Sequence, residues 1–274
     1  MDNKPTLATL RTQPHMSASQ LSSFLSCSLQ HKFRYIDNIP SKSKSSSLIQ
    51  GSAVHQVMEH FYNALKEGEI LSADELLELY ELRLRWLCSN SGEISFKDGE
   101  DYQSLLAQGK GLIKCFADNL EIDPAMKVLY VEEAFSIDIP GVPVPVIGAI
   151  DLVLESEDSI IIVDHKTAGR GMSSADIDLL DALCTYQMSI KDRGHGDKEI
   201  LLRLDCLIKT KTPRFEQYWT SRSELDEQRL VKKFQTAWAA IESGNFIPND
   251  GNWKCATCSY QQECKDWSNC DMAA

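Results

Sequence analysis

Residues 148–166 read Gly148-Ala-Ile-Asp151-Leu-Val-Leu-Glu155-Ser-Glu-Asp158-Ser-Ile-Ile-Ile-Val-Asp164-His165-Lys166. Two β-branched and apolar runs, 144–154 and 159–163, flank the acidic turn 155–158. The pattern predicts a β-hairpin at the centre of a sheet. Each arm carries an aspartate at its strand end, Asp151 on one and Asp164 on the other, so pairing of the arms lets the two carboxylates converge. Hard oxygen donors brought together in this way hold Mg²⁺ or Mn²⁺. Lys166 stands two residues beyond Asp164 and therefore shares its face of the strand. An ammonium there can orient an attacking water and neutralise charge on a phosphate.

Upstream of the hairpin, apolar periodicity predicts helices at 17–35, 50–66, 72–87 and 102–120. Ser17 or Ser19 can cap the first, whose stripe is Leu21, Phe24, Leu25, Leu29 and Phe33. The second buries Val54, Val57, Met58, Phe61 and Leu65, and the third opens on a Ser72/Glu75 capping box. The serine-rich segment 41–47, between the first and second helices, has no apolar residue and reads as a mobile, mildly basic loop. Strands at 128–133 and 135–139 lead to a turn at Pro140-Gly141. Beyond the hairpin come a helix at 173–191, strands at 199–208 and 214–220 around the basic turn 209–213, and a helix at 221–243. The succession predicts an α/β fold with a mixed sheet core flanked by helices. A single domain over 1–274 is expected, with a helical part at 16–125, the core at 126–245 and a cysteine-rich tail at 246–274.

The chain has 274 residues, 43% hydrophobic and 25% charged, a globular balance. No apolar run reaches the roughly 18 residues of a membrane span. Residues 1–15 hold no apolar signal-peptide core, so a soluble cytoplasmic protein is expected. A net charge of −12 weighs against a wholly basic nucleic-acid surface, but a metal site needs carboxylates. No Gly-x-x-x-x-Gly-Lys-Ser/Thr loop is present, so the sequence carries no ATP site of that kind. The nine cysteines are odd in number and unevenly spaced, which argues against a disulfide framework. Cys88, Cys115, Cys184 and Cys206 read as small buried hydrophobes. Cys255-x2-Cys258-x5-Cys264 supplies three thiolates, and a cysteine metal site usually takes four. Cys270 would complete a local zinc knot, and Cys27 is the distant candidate. Basic residues suited to phosphates are Lys209, Lys211 and Arg214, with Lys42, Lys44, Arg170, Lys191 and Arg193. Tyr35 and Trp253 are candidates for stacking on bases.

Gly-x-x-Asp151 on one strand and Asp164-x-Lys166 on the next resemble the core of the PD-(D/E)XK nuclease superfamily. Gly51-x-x-x-His55 upstream and Tyr186-Gln187 in the following helix are similar to its RecB-like members. So is Ser19-Gln20-Leu21-x-x-Phe24-x-x-Cys27, followed by the three tail cysteines. That arrangement resembles CRISPR-adaptation-type nucleases that carry a four-cysteine iron–sulfur cluster. The resemblance implies a restriction-endonuclease-like fold and a Mg²⁺- or Mn²⁺-dependent deoxyribonuclease. It implies metal ligation by His55, Asp151, Asp164 and the carbonyl of His165. Lys166 would be the catalytic lysine, and Gln187 would position it or the DNA. It implies a 4Fe–4S cluster on Cys27, Cys255, Cys258 and Cys264 that clasps the tail to the first helix, with Zn²⁺ at the cysteines as the alternative. Relatives often show Gln-x-x-x-Tyr, whereas position 191 is Lys191 and the nearest tyrosine is Tyr186. DNA ends or single strands would be the substrate of an exonuclease acting in recombination, repair, phage DNA processing or CRISPR adaptation. Its partner would be a helicase, a recombinase or a CRISPR-adaptation protein. The alternative is a catalytically inactive DNA-binding or assembly subunit of the same fold.

Overall fold

A computed structural model of the protein describes residues 5–251 and 253–270. The side chains of Trp253 and Cys270, and residues 271–274 of the predicted tail, lie outside the described residues. In chain order the elements are α1 (Leu7–Leu10), α2 (Ala18–Ser26), α3 (Ser28–His31), β1 (Lys44–Ser45), α4 (Ser46–Lys66), α5 (Ala73–Ser89), β2 (Ile94–Ser95), α6 (Tyr102–Asn119), β3 (Lys127–Ile137), β4 (Val146–Glu155), β5 (Ser159–Ala168), α7 (Ser174–Asp178), α8 (Asp181–Ile190), β6 (Glu199–Ile208), β7 (Arg214–Thr220), α9 (Glu224–Glu242) and α10 (Gln261–Cys270). They gather into two compact units. One comprises Lys44–Phe135 and Ala149–Arg222; the other comprises Met1–Ser43, Ser136–Gly148 and Ser223–Ala274.

The main sheet runs in the order β3-β4-β5-β6-β7. β4 and β5 form the antiparallel hairpin, with Leu152 opposite Val163. β5 and β6 are parallel, from Ser159 opposite Glu199 to Ala168 opposite Ile208. A parallel pair needs a crossover, which α7 and α8 supply. Pairing with β6 carries β5 beyond the expected end at Val163, so Asp164, His165 and Lys166 sit within a central strand. Val54, Val57, Met58 and Phe61 of α4 are buried in one cluster with Leu152, Val163 and Leu207 of the sheet. α5 and α6 add Tyr80, Leu84, Leu112 and Phe116 to that cluster. Gly109 makes the α5–α6 packing possible, because a Cβ there would lie 1.8 Å from the Tyr80 hydroxyl.

Four expected elements differ. The strands expected at 128–133 and 135–139 are one strand, β3. Glu132 takes φ +48 inside it, so the chain is deflected locally without leaving the strand. The loop expected at 41–47 contributes β1, which pairs in parallel with β2, and its Ser45 caps α4 by accepting from the Leu48 N–H at 3.3 Å. The first helix breaks at Cys27, whose backbone is extended at φ −163, ψ 107. The helix expected at 173–191 is α7 and α8, separated at Leu179 and Leu180.

In the second unit Ser17 caps α2, accepting from the Gln20 N–H at 3.1 Å. Leu29, Phe33, Phe246 and Tyr260 form a small buried core, with Phe24, Cys27, Cys258, Cys264 and Trp267 packed against it. The Tyr260 hydroxyl donates to the Ile39 carbonyl at 3.1 Å. The Ser28 hydroxyl donates to the Ile247 carbonyl at 3.1 Å and accepts from the Ile247 N–H at 2.8 Å. These bonds fix the tail segment to α3 within this unit.

Candidate functional site

β4 and β5 present Asp151 and Asp164, and α4 brings His55 over them. The main-chain N–H of His165 donates to Asp151 Oδ2 at 2.7 Å. His55 Nδ1 lies 3.8 Å from the same oxygen, and the His55 ring also hydrogen-bonds the main-chain carbonyl of His165. Gly51 stands one helical turn before His55, and a Cβ on it would meet Thr167 Oγ1 at 3.2 Å. Its bare backbone lets α4 approach β5 closely at the motif.

One donor atom from each of His55, Glu132 and Asp151 lies within 4.8 Å of the others. Glu132 is a residue that sequence reasoning missed. Its positive φ is costly for a side chain in a strand, and strain of this kind concentrates at functional sites. Burial, then the charges of Glu59 and Asp164, push its carboxyl up to about 7. Burial, then Asp164 and Glu132, hold the Asp151 carboxyl well above its ordinary range. Each of these penalties falls on negative charge gathered out of water, and a bound dication reverses them. An imidazole nitrogen with carboxylate oxygens suits a hard divalent ion, so the residues present fit Mg²⁺ or Mn²⁺.

Asp164 is 2% exposed and faces Lys166, whose Nζ lies 2.8 Å from Oδ2. Burial alone would lower the Lys166 ammonium, but Asp164 and Asp151 outweigh it and hold the group charged above its ordinary range. Tyr186 hydrogen-bonds Asp164, and burial followed by the Asp164, Asp151 and Glu132 charges drives its phenol well up. An aromatic hydroxyl thus reaches the cluster from position 186, directly before Gln187. Gln187 is buried and donates from Nε2 to the Arg222 carbonyl at 3.0 Å.

The His165 ring is buried and stacks on Tyr62 with centroids 5.5 Å apart and planes inclined by 10°. Burial, then His55, Arg203 and Lys166, hold it well below the ordinary histidine range, so it stays neutral. Its partner across the β5–β6 ladder is Asp205, which receives a bidentate pair from Arg203 at 2.8 and 2.9 Å. His165 therefore offers the site its backbone, while its ring belongs to the core.

Cys184 and Cys206 are buried as expected, whereas Cys88 and Cys115, also expected to be buried, are half-buried. Cys27, Cys258 and Cys264 belong to the small core of the second unit, and the Cys264 thiol is pushed up by burial, then Asp250, then Cys27, Cys258 and Cys255. Cys255 is exposed and is not among the residues packed on that core. Cys27 Sγ accepts from the Gln30 N–H at 3.5 Å, so the thiol also caps α3.

Of the basic candidates, Arg193 is engaged with Glu133 and the Ala134 carbonyl, both at 2.7 Å, and lies over Tyr130. Arg214 pairs with Glu216 at 2.8 Å. Lys209 is half-buried, and burial followed by Lys97 lowers its ammonium. Lys211 and Arg170 are exposed.

No helix among the described residues is long and apolar enough to cross a membrane. A protein of Mycobacterium phage L5 named "Gene 69 protein" is 22% identical over 287 residues, an alignment covering 92% of this chain and 96% of that one. The crystal structure of a protein from Eubacterium rectale named "Putative exonuclease" superposes with a TM-score of 0.58 at 13% identity, covering 94% of this chain and 93% of that one. At that identity the likeness speaks for the fold. The sequence pattern of the PD-(D/E)XK nuclease superfamily runs through residues 15–265, and with it through every element that carries the site: the chain belongs to the PD-(D/E)XK nuclease superfamily.

Proposed function

We propose that the protein is a Mg²⁺- or Mn²⁺-dependent deoxyribonuclease that acts as an exonuclease on DNA ends or single strands. The observation that carries this reading is the convergence of His55, Glu132 and Asp151 beside the Lys166–Asp164 pair. His55, Glu132 and Asp151 would hold the cation, with Asp164 and the His165 carbonyl completing the set. Bound there, the cation supplies Lewis-acid polarisation of a phosphoryl oxygen. The reaction is in-line attack of water on phosphorus: the phosphorus–oxygen bond to the sugar breaks as the new one forms, and the proton the water gives up ends on the departing sugar oxygen. Lys166 keeps its proton on Nζ and neutralises the charge that grows on the non-bridging oxygens. The Tyr186 hydroxyl steadies Asp164, and Gln187 anchors α8 through the Arg222 carbonyl.

In the same reading Cys27, Cys255, Cys258 and Cys264 hold a 4Fe–4S cluster. Such a cluster would supply a cross-link between segments distant in the chain, which loop-closure entropy makes valuable. Zinc is the alternative at the same thiols. Metal analysis and the visible spectrum of anaerobically purified protein decide between them. A colourless protein holding one zinc would replace the cluster, and one holding neither metal would remove the centre. The phage-encoded relative favours phage DNA processing over repair or CRISPR adaptation as the setting. A helicase or recombinase would be the partner.

The test is cleavage of end-labelled single- and double-stranded DNA with Mn²⁺ or Mg²⁺, wild type against Lys166→Ala. Cleavage by the wild type alone supports the reading. If neither protein cuts with the cation present, the catalytic reading falls and an inactive DNA-binding subunit takes its place.

A further inference from the structure

The unit formed by Met1–Ser43, Ser136–Gly148 and Ser223–Ala274 holds a groove of about 900 Å³. Arg11, His15, Arg34 and Lys254 line it, and so do Tyr35 and Trp238. None of the described residues lining it is acidic, although 40 of the chain's 274 residues are Asp or Glu. A protein of net charge −12 has thus kept carboxylates out of one of its larger concavities. Among the described residues no carboxylate pairs with Arg11 or Arg34, and both are exposed. The α2 side of the groove is rich in serine hydroxyls.

The aromatic lining points the same way. Arg34 lies over the Tyr35 ring, 5.1 Å from its centroid, and that ring rests against His31 with centroids 5.0 Å apart. Trp238 Nε1 is buried and has no hydrogen-bond partner among the described residues. A buried donor left unpaired is costly and uncommon, but this N–H is closed off from the groove and only the rest of the indole lines it.

We propose that this groove binds single-stranded DNA, its cations on the phosphates and the aromatic faces of Tyr35 and Trp238 against the bases. Unpaired bases expose the faces and edges that such walls address, and cationic grooves with aromatic platforms are the usual means of holding them. A lone phosphate would fill little of a volume this size. The inference rests on the nuclease reading for the choice of polymer and assigns the strand's hold to side chains of a unit that contains neither His55 nor Lys166.

The experiment is fluorescence anisotropy of a labelled oligo(dT) with the full-length protein in EDTA, which suspends hydrolysis, across a salt series. Arg11→Glu/Arg34→Glu is compared with Lys211→Glu/Arg214→Glu and wild type, each verified by circular dichroism. The groove variant is expected to lose at least tenfold in affinity and to lower the salt slope by about 1.4, the value for two lost single-strand phosphate contacts. Arg11→Gln/Arg34→Gln, which removes charge without reversing it, is expected to show the same slope change with a smaller loss. Tyr35→Ala is expected to weaken binding several-fold at unchanged slope. Wild-type affinity in the Arg11/Arg34 variants, or loss confined to Lys211→Glu/Arg214→Glu, overturns the groove while leaving the catalytic reading standing. A wild type that binds oligo(dT) only through the groove but cuts nothing fails the catalytic reading alone.

Discussion

Asp151 Oδ2 accepts the main-chain N–H of His165 at 2.7 Å, tying the two arms of the hairpin where their carboxylates meet. The same carboxylate is held well above its ordinary range by burial, Asp164 and Glu132, so its negative charge costs the metal-free fold stability. Asp151→Asn keeps an acceptor for the His165 N–H and discards the charge. Nuclease activity is expected to fall at least about hundredfold, as for loss of a group acting on the transition state. Metal-free stability in urea at pH 8 is expected to match or exceed that of the wild type. A clear loss of metal-free stability would mean that the tie requires a carboxylate.

Glu132 gives the metal-free protein a specific pH profile. Its carboxyl is raised to about 7, above the ordinary glutamate value near 4.5. A raised acid contributes stability that is complete below the unfolded pKa and lost as pH rises through the folded one. The melting temperature in EDTA is therefore expected to decline between about pH 5 and about pH 8. Saturating Mg²⁺ or Mn²⁺ should reduce or reverse that decline, because binding favours the ionised carboxylates. Glu132→Gln should flatten the EDTA profile and weaken the response to metal. Differential scanning calorimetry over this range checks both.

Lys166 Nζ and Asp164 Oδ2 are 2.8 Å apart, with the lysine side chain 42% exposed and the aspartate 3%. Lys166→Ala removes a positive charge from beside the candidate cation site. Activity is expected to drop by about 10²–10³, the range for loss of one donor aimed at developing charge. Mn²⁺ affinity is expected to rise at the same time, since like charges repel. Titration calorimetry separates the two effects. Weaker Mn²⁺ binding would place Lys166 as a support for the carboxylates.

Gly109 reverses the usual helix rule. Glycine inside a helix costs about 1 kcal/mol relative to alanine, so Gly→Ala ordinarily stabilises. Here the new Cβ would lie 1.8 Å from the hydroxyl of Tyr80, a residue with no exposed surface. Overpacking of this kind costs about 1–3 kcal/mol or more. Gly109→Ala is expected to lower the urea midpoint by that measure, with the metal-induced shift retained. An unchanged midpoint would show that α5 and α6 separate freely.

The hairpin was legible because two β-branched, apolar runs around an acidic turn constrain a strand pair strongly, and the helices at 72–87 and 102–120 followed from apolar spacing and the Ser72/Glu75 box. Glu132 was not legible, because two adjacent glutamates on a strand point to opposite faces and either can be the inward one. The backbone at φ +48 settles the matter: Glu132 joins His55 and Asp151, while Glu133 pairs with Arg193. Tyr186 was visible as a neighbour of Gln187, but its approach to Asp164 depends on how α8 crosses β5. The break at Cys27 was hidden for a related reason. Ser26-Cys27-Ser28 suits a helix interior or a cap equally well, and only the extended backbone at Cys27 separates the two.

The close approach of Gly51 to Thr167 means that the spacing between α4 and the Lys166 strand is governed by a residue with no donor for a metal and no reach to a substrate. A methyl group at position 51 would act as a shim, 3.2 Å from Thr167 Oγ1, and tilt His55 away from Asp151 by roughly a few tenths of an ångström. Metal coordination tolerates misplacement of only about 0.2 Å, whereas the surrounding core tolerates more. Position 51 is therefore where the proposed metal seat and the stability of the fold come apart: Gly51→Ala is expected to weaken Mn²⁺ binding in titration calorimetry while leaving the metal-free urea midpoint nearly unchanged.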